Sequence, residues 1–430
     1  MIPDSARTLR AFAFFILCSA AQAHAQQLAA SAASEPPAAA DGLDADTDNG
    51  DELYLKALQS IAEGRRYDAS YELNQLIERH PQHAGALLDL ALTQCSLGNT
   101  DQAERLFAAF ESRFTPARPI LELIANAREQ GCHVWEPSSS TVVTFGRGID
   151  QNVNQGARTA RYVVDAPGGQ VEYELTGDFR PRHDQYTQLG ADYLREITPN
   201  GSIGFAQVQL RRNDSLHQYD SASLFAGVES PWRFDGWRVR ATGTLGLVTL
   251  GSHLYQRQVQ AQARVTPPLA LPAGVGFDVV AGVTYNTFPS LSNFDSSTQD
   301  LRAHLSWRGL RTYASFAAGY QNDHALDRRP GGDRDGAYVN LLLRRALRPD
   351  LSAEFGYTRQ TWNSSQAYSP GLIDEVRDQT TQVVRGLLSW SVGKRQTLLL
   401  EGRIVRNREN ISIFQYNNRQ LQLSYQWQLP

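Results

Sequence analysis

The chain has 430 residues and a mass of 47.7 kDa, enough for two or three domains or for one large barrel with an accessory module. Hydrophobic residues make up 41% and the mean hydropathy is −0.41, which excludes a polytopic helical membrane protein and a disordered chain. The net charge of −4 gives no basic surface of the kind that binds nucleic acid.

The first 25 residues have the three parts of a secretory signal peptide. Arg7 and Arg10 precede an apolar run of about ten residues, and Ala23-His24-Ala25 supplies a small-residue cleavage site. The apolar run is too short to span a membrane. Residues 26–50 are rich in Ala, Pro and Asp and lack apolar periodicity, so they are expected to form a flexible leader. The protein is therefore predicted to be exported.

Residues 51–133 carry the period of a helical repeat. Gly64 and Gly98 lie 34 residues apart, each between two helix patterns. The interlocking positions are predicted to be Leu87, Leu90, Ala91, Gly98, Ala103, Phe107, Phe110 and Pro116 in the second copy, and Gly64, Tyr67, Ser70, Leu73, Ile77 and Pro81, with one residue of slack, in the first. The pattern resembles tetratricopeptide repeats. A third helix over 119–129, with Ile120, Leu121, Leu123 and Ile124 as its apolar face, is expected to cap the array.

Two cysteines remain after the signal peptide, Cys95 in the second repeat and Cys132 after the cap helix. In an oxidising compartment a disulfide would join them. The alternative is two buried thiols that act as small apolar side chains. The helical module itself is either a groove for a peptide or partner protein, or a spacer without a ligand.

From residue 140 to the end, the hydrophobic period changes from 3.6 to 2, the period of β-strands. In residues 258–265, for example, Val and Ala alternate with Gln and Arg. Short connectors rich in Gly and Pro alternate with longer polar ones, among them 250–255 and 360–379. This alternation is typical of an outer-membrane β-barrel with tight periplasmic turns and longer outer loops. The fold class predicted is α plus membrane β: a short helical repeat module at 51–133, then an antiparallel transmembrane barrel of 14–16 strands at 140–430.

The polar residues of each strand are expected to face the lumen, and the apolar residues the lipid. The lumen-facing candidates carry both signs of charge: Glu172, Glu174, Asp178, Asp192, Glu196, Arg238, Arg240, Arg264, Arg302, Arg308, Glu354, Arg385, Glu401 and Arg403. Mixed signs indicate cross-strand ion pairs that brace a wide barrel, with a specific conduction path as the alternative. Tryptophans near strand ends, such as Trp237 and Trp390, suit interfacial girdles.

No catalytic, cofactor-binding or metal site is predicted. The histidines form no H-E-x-x-H pattern, and Gly146-Arg147-Gly148 precedes no helix of a phosphate loop. The segment 150–156 lacks the glycine and distal glutamate of an EF-hand. The protein is therefore expected not to be an enzyme and to need no cofactor.

A signal peptide, a periplasmic repeat module, one barrel, and a first strand that ends in Gly146-x-x-x-Asp150-x-Asn152-Val153-Asn154-Gln155 resemble the surface lipoprotein assembly modifiers, or Slam proteins. The resemblance implies a translocon in the outer membrane of a Gram-negative bacterium, of about fourteen strands, with the helical module in the periplasm. It implies partners too: a client lipoprotein or secreted protein bound through 51–133, outer-membrane lipids and the barrel assembly machinery. The family motif maps to Asp150, Asn152 and Asn154, interpreted from the residues alone as a polar turn that begins the first loop.

Two other functions stay open. An exopolysaccharide export porin also joins periplasmic tetratricopeptide repeats to a barrel, although that class usually has a longer array and a lumen of one charge sign or with aromatic platforms. A scaffold for other envelope machinery would use the barrel as an anchor only. Neighbouring glycosyltransferase genes would favour polysaccharide export, and a neighbouring small lipoprotein gene would favour protein delivery.

Overall fold

The computed structural model describes residues 48–62, 64–129, 131–132, 137–166, 168–234 and 236–429. The predicted signal peptide and residues 26–47 of the predicted leader lie outside these ranges. Two compact units divide the described chain: a helical unit that ends at Ser139 and includes Arg195–Gly204, and a barrel unit of Ser140–Leu194 and Phe205 onward.

Five helices form the helical unit. They are α1 (Asp48–Ala62), α2 (Arg66–Arg79), α3 (Ala84–Ser96), α4 (Thr100–Arg113) and α5 (Arg118–Glu129). The first begins at Asp48, so the last three residues of the predicted leader are helical. No helix of the described residues is both long and apolar enough to cross a membrane.

The 34-residue period is visible in the core of this unit. Gly64 and Gly98 both have positive φ, +74° and +80°, and each lies between the two helices of a pair. Such backbone favours glycine because a Cβ would clash there. The fully or nearly fully buried positions repeat at the same spacing: Ala57 with Ala91, Ala69 with Ala103, Leu73 with Phe107, and Leu76 with Phe110. The predicted slack in the first copy was therefore wrong, and Tyr67, placed there at the helix interface, is 56% exposed.

The last helix is held to the array by packing, ion pairs and a covalent bond. Ile124 is fully buried, whereas Leu121 and Leu123, predicted on the same apolar face, are exposed. Arg128 donates hydrogen bonds to both Glu104 and Glu111 on α4. A disulfide joins Cys95 to Cys132.

The barrel unit contains sixteen strands. They are β1 (Ser139–Asp150), β2 (Arg161–Ala166), β3 (Gly169–Glu174), β4 (Asp184–Glu196), β5 (Ile203–Asn213), β6 (Ser221–Phe234), β7 (Trp237–Leu250), β8 (His253–Thr266), β9 (Val275–Thr287), β10 (Ser296–Arg308), β11 (Thr312–Ala325), β12 (Arg334–Arg348), β13 (Leu351–Ser369), β14 (Ile373–Gly393), β15 (Gln396–Glu409) and β16 (Tyr416–Leu429). Fourteen of them close an antiparallel barrel in which each strand pairs with its neighbour in sequence and β1 pairs with β16.

The other two strands, β2 and β3, pair with each other in a separate two-stranded sheet. They belong to the connection between β1 and β4. Each has six residues, and a strand needs about 9–11 residues to span a membrane. The barrel itself therefore has fourteen strands, the lower end of the predicted range, and sixteen was wrong for the barrel.

The end of the barrel at which β1 begins and β16 ends is called the short-turn end, and the opposite end the long-loop end. Alternation of connector length holds for most hairpins but is not strict. At the long-loop end, β7 and β8 join through Gly251 and Ser252, both at positive φ, in place of the loop predicted at 250–255. The loop predicted at 360–379 is instead mostly paired strand, because β13 and β14 run for 19 and 21 residues.

Candidate functional site

The outer wall of the barrel is apolar. Successive side chains of a strand point to opposite faces, and one face presents exposed Phe145, Leu189, Leu245, Leu301 and Leu423. Exposed tryptophans lie at the short-turn end of this wall: Trp232, Trp237, Trp307, Trp390 and Trp427. A closed barrel leaves no unpaired strand edge for lipid to face, and an apolar band with aromatic residues at its edge is how such barrels lie in a bilayer. The chain is thus an outer-membrane β-barrel of a Gram-negative bacterium.

The inner wall carries most of the predicted lumen-facing residues. Alternation along each strand places these predicted residues on the inner face: Asp192, Glu196, Arg238, Arg240, Arg264, Arg302, Arg308, Glu354, Arg385, Glu401 and Arg403. Glu172 and Glu174 were wrongly placed, because they lie on β3, which is not a strand of the barrel. Asp178 lies in a one-turn 3-10 helix between β3 and β4. The alternation of β3 resembles that of a wall strand, but its pairing with β2 and its length of six residues distinguish it from one.

A ladder of alternating charges crosses four strands of the inner wall. Arg344 on β12 donates to Glu354 on β13 at 2.7 Å, and Arg385 on β14 donates to the other oxygen of Glu354 at 2.8 Å. The second arm of Arg385 reaches Glu401 on β15, also at 2.8 Å. Glu354 is 8% exposed, and the two arginines are its ionic partners. Arg344 was not among the predicted lumen-facing residues, although its parity matches that of the other inward arginines.

Two further clusters lie near the long-loop end. Asp323, fully buried, accepts hydrogen bonds from Arg329 at 2.7 Å and from Arg334 at 2.6 Å. Arg377 donates to both oxygens of Glu409, at 2.6 Å and 2.5 Å. None of these five residues was identified from the sequence, because each pair joins residues from different strands or loops. They fix the shape of this end of the barrel.

The three polar residues on which the Slam resemblance rests form a buried knot where the first loop leaves β1. Asp150, Asn152 and Asn154 are 3%, 1% and 5% exposed. The Asn152 amide donates to the carbonyl of Gly156 at 3.0 Å and to that of Asn417 on β16 at 2.9 Å, and its oxygen accepts from the Gly156 N–H at 2.7 Å. The side chain therefore closes its own turn and ties that turn to the last strand.

Asn154 does the same for the other side of the loop. Its amide donates to the carbonyls of Asp178 and Arg180, and its oxygen accepts from the N–H of Arg182. Gly156 lies so close to this returning segment that an added Cβ would come within 2.3 Å of the Arg180 carbonyl carbon. The two asparagines thus hold the start and the end of the loop together.

Asp150 connects the knot to the inner wall. Its carboxylate accepts from Arg211 on β5 at 2.6 Å and from Gln420 on β16 at 2.8 Å. The Arg211 guanidinium lies 3.8 Å from the ring centre of Tyr186 on β4, and the Tyr186 hydroxyl donates to Gln422 on β16 at 2.8 Å. One carboxylate thus links strands on both sides of the β1–β16 seam. The polar outer turn expected from the sequence is in fact a buried junction.

The knot anchors the first loop, and the ladder and the two charged clusters connect strands of the wall through ion pairs. Within the described ranges, no group of three or more His, Cys, Asp or Glu side chains is placed to hold a metal ion. The β1–β16 seam is continuously paired from Thr141 opposite Leu429 to Asp150 opposite Gln420. Any role of this seam in transport would therefore require these pairs to open.

The chain is similar to solved outer-membrane proteins. Outer-membrane expressed OmpT of Vibrio cholerae has a TM-score of 0.37 and 7% identity, over 68% of this chain and 98% of that one. The anion-selective porin from Comamonas acidovorans has a TM-score of 0.36 and 9% identity, over 68% and 100%. The channel DcaP of Acinetobacter baumannii has a TM-score of 0.38 and 10% identity, over 68% and 97%. No family model matches the sequence, and no curated protein matches it.

Proposed function

We propose that this protein is an outer-membrane translocon that delivers a client, a lipoprotein or a secreted protein, from the periplasm to the cell surface. The observation that carries the proposal is the union in one chain of a 34-residue helical repeat and a fourteen-strand barrel with a polar inner wall. Repeats of this period build surfaces that bind peptides and proteins. The barrel supplies the route or the membrane anchor beside which the client moves.

The orientation follows from chain connectivity. Short turns of outer-membrane barrels are periplasmic, and both the start of β1 and the end of β16 lie at the short-turn end. A chain that enters the barrel there has its preceding helices in the periplasm. The exported client is first available in that compartment, so the helical unit is its receptor.

The inner wall favours a protein client over a polymer of uniform charge. Its ladder alternates in sign from Arg344 to Glu401, and a wall of this kind attracts neither sign along its whole length. The fourteen strands also fit the number that the Slam resemblance implies. No nucleotide motif occurs in the sequence, so the driving force comes from client folding outside the cell or from another machine. The proposal gives the protein no catalytic role.

Deletion of residues 51–133 tests the receptor role. Surface display of the client, measured by antibody labelling of intact cells, is expected to be lost while the client accumulates in the periplasm. The deletion variant must still show the heat-dependent gel mobility of a folded barrel. Unchanged display would contradict the receptor role. Loss of surface polysaccharide with normal display of proteins would support an export porin instead.

A further inference from the structure

The outer wall carries a basic patch at the long-loop ends of β15 and β16. It consists of Arg406, Arg408 and Arg419, all exposed. On β15 the two arginines alternate with buried Val405, Asn407 and Glu409, so their side chains project from the face opposite to the lumen. On β16 the inward position next to Arg419 is the buried Asn418.

Strand register brings the three arginines together. Arg406 lies opposite Asn417, and Arg419 lies opposite Ile404, so Arg419 is the diagonal neighbour of Arg406. Residues two apart on one strand, and diagonal residues on paired strands, are about 7 Å apart. A fourth arginine, Arg359, continues the row, because Gln382 on β14 lies opposite both Arg359 and Arg406. Long guanidinium side chains at this spacing can contact one ligand.

In the described part of the wall, the three arginines of the patch outnumber the acidic side chains beside them. None of the three arginines is in a salt bridge there, whereas Arg147, on the same outward face of β1, pairs with Asp214. Glu409 faces inward and is bound to Arg377. Asp378, on the outward side of β14, is the diagonal neighbour of Arg408, because Thr380 lies opposite Arg408. One carboxylate thus lies near the three arginines. The patch is therefore a local excess of positive charge.

The position of the basic patch along the barrel axis determines which groups can neutralise its charge. Ile404 and Leu421, exposed by 43% and 49%, point outward at or just below the level of the arginines. These two side chains face hydrocarbon, so the guanidinium groups lie where the hydrocarbon meets the headgroups. Arginine is costly at the midplane of a bilayer and nearly without cost at its interface, which permits charge at this height and no deeper.

We infer that Arg406, Arg408 and Arg419 bind the phosphate groups of a glycolipid of the outer leaflet. Arginine suits this ligand because its planar fork pairs with phosphate oxygens in two parallel hydrogen bonds. The assignment of the leaflet rests on the orientation given in the proposed function. Because β16 pairs with β1, the bound lipid lies next to the β1–β16 seam and beside the knot of Asp150, Asn152 and Asn154.

The test measures lipid binding by the full-length barrel, with no client present. Delipidated protein in detergent is titrated with bisphosphorylated lipid A, and the bound lipid is counted by native mass spectrometry. The variant R406Q/R408Q/R419Q is expected to bind at least about tenfold more weakly, from the loss of several charge-assisted hydrogen bonds. The control R212Q/R257Q, which removes two exposed arginines from β5 and β8, should bind like the wild type.

Three results would overturn the inference. They are equal binding by the triple variant and the wild type, equal weakening in the control, and equal binding of a dephosphorylated glycolipid. Competition by inorganic phosphate at the concentration of the lipid would show a site for free phosphate and would exclude the lipid as its specific occupant. If the triple variant does not fold, R406Q alone, with an expected loss of about threefold, replaces it. Client display is measured separately, so failure of the transport proposal leaves this result interpretable.

Discussion

Replacement of Asn152 with Ala should release the first loop from the last strand. The wild-type side chain makes three hydrogen bonds, to the carbonyls of Gly156 and Asn417 and from the N–H of Gly156. Alanine leaves these three backbone groups without their partner in a site where residue 152 is 1% exposed. At about 1 kcal/mol for each unsatisfied group, the low end of the usual range, the loop loses about 3 kcal/mol of local stability.

Limited trypsin digestion of the folded barrel measures this loss. Arg158 and Arg161 lie in the loop beyond the knot, and cleavage there follows the population of the open loop when opening is fast. A change of about 3 kcal/mol raises that population about a hundredfold, and the cleavage rate should rise with it. The urea concentration at the midpoint of global unfolding should change far less, because the hydrogen bonds between the barrel strands remain intact.

Asn417→Ala is the matched control. Asn417 contributes its backbone carbonyl to Asn152, and its own side chain is exposed on the outer wall. Cleavage in this variant should stay within about twofold of the wild type, as expected for a surface substitution. If Asn152→Ala is cleaved no faster than Asn417→Ala, the knot does not hold the loop and the reasoning is wrong.

Three further predictions concern the wall and the helical unit. Glu354→Gln removes the carboxylate from half-exposed Arg344 and from partly buried Arg385, which keeps Glu401. It should lower the free energy of unfolding by about 1 kcal/mol, measured by urea titration in phospholipid vesicles. An unchanged midpoint would contradict the ladder as a brace. The Cys95–Cys132 bond closes a span of 37 residues, and its reduction should destabilise the helices by about 4 kcal/mol. Circular dichroism at 222 nm, with and without reductant, measures this change. No difference between the two would contradict a stabilising role of the bond. Burial raises the pKa of Asp89 above its usual range, against the opposing effect of the hydrogen bond from Tyr54. The folded state therefore holds this proton more tightly, and the stabilisation present at low pH is lost as pH rises through the folded pKa. The melting temperature of the wild type minus that of Asp89→Asn should then fall as pH rises above about 4, the ordinary pKa of an aspartate, and a constant difference would refute the shift.

The architecture could be predicted from the sequence because it depends on local signals. A period of two, glycine-rich turns and a 34-residue repeat indicate strands, hairpins and helix pairs without knowledge of distant contacts. The sequence left the number of wall strands between fourteen and sixteen, because residues 161–174 alternate like a barrel hairpin although they pair in a separate sheet. Length was the usable signal, since six residues do not span a bilayer.

The candidate site divides in the same way. Parity alone placed Arg238, Arg264 and Arg403 on the inner wall. The partners within the site depend on register and on contacts between distant segments, as with Asn152 and the carbonyl of Asn417, which are 265 residues apart. A motif could identify Asn152 as notable, but no local pattern could show that its side chain is buried against the last strand.

The most direct test of delivery to the cell surface is surface biotinylation with quantitative proteomics in the native host, comparing the wild type with a deletion of this gene. A translocon predicts that one or two proteins disappear from the surface and accumulate in the periplasm. An unchanged surface proteome would contradict protein delivery, and an accompanying loss of surface polysaccharide would establish the export porin in its place.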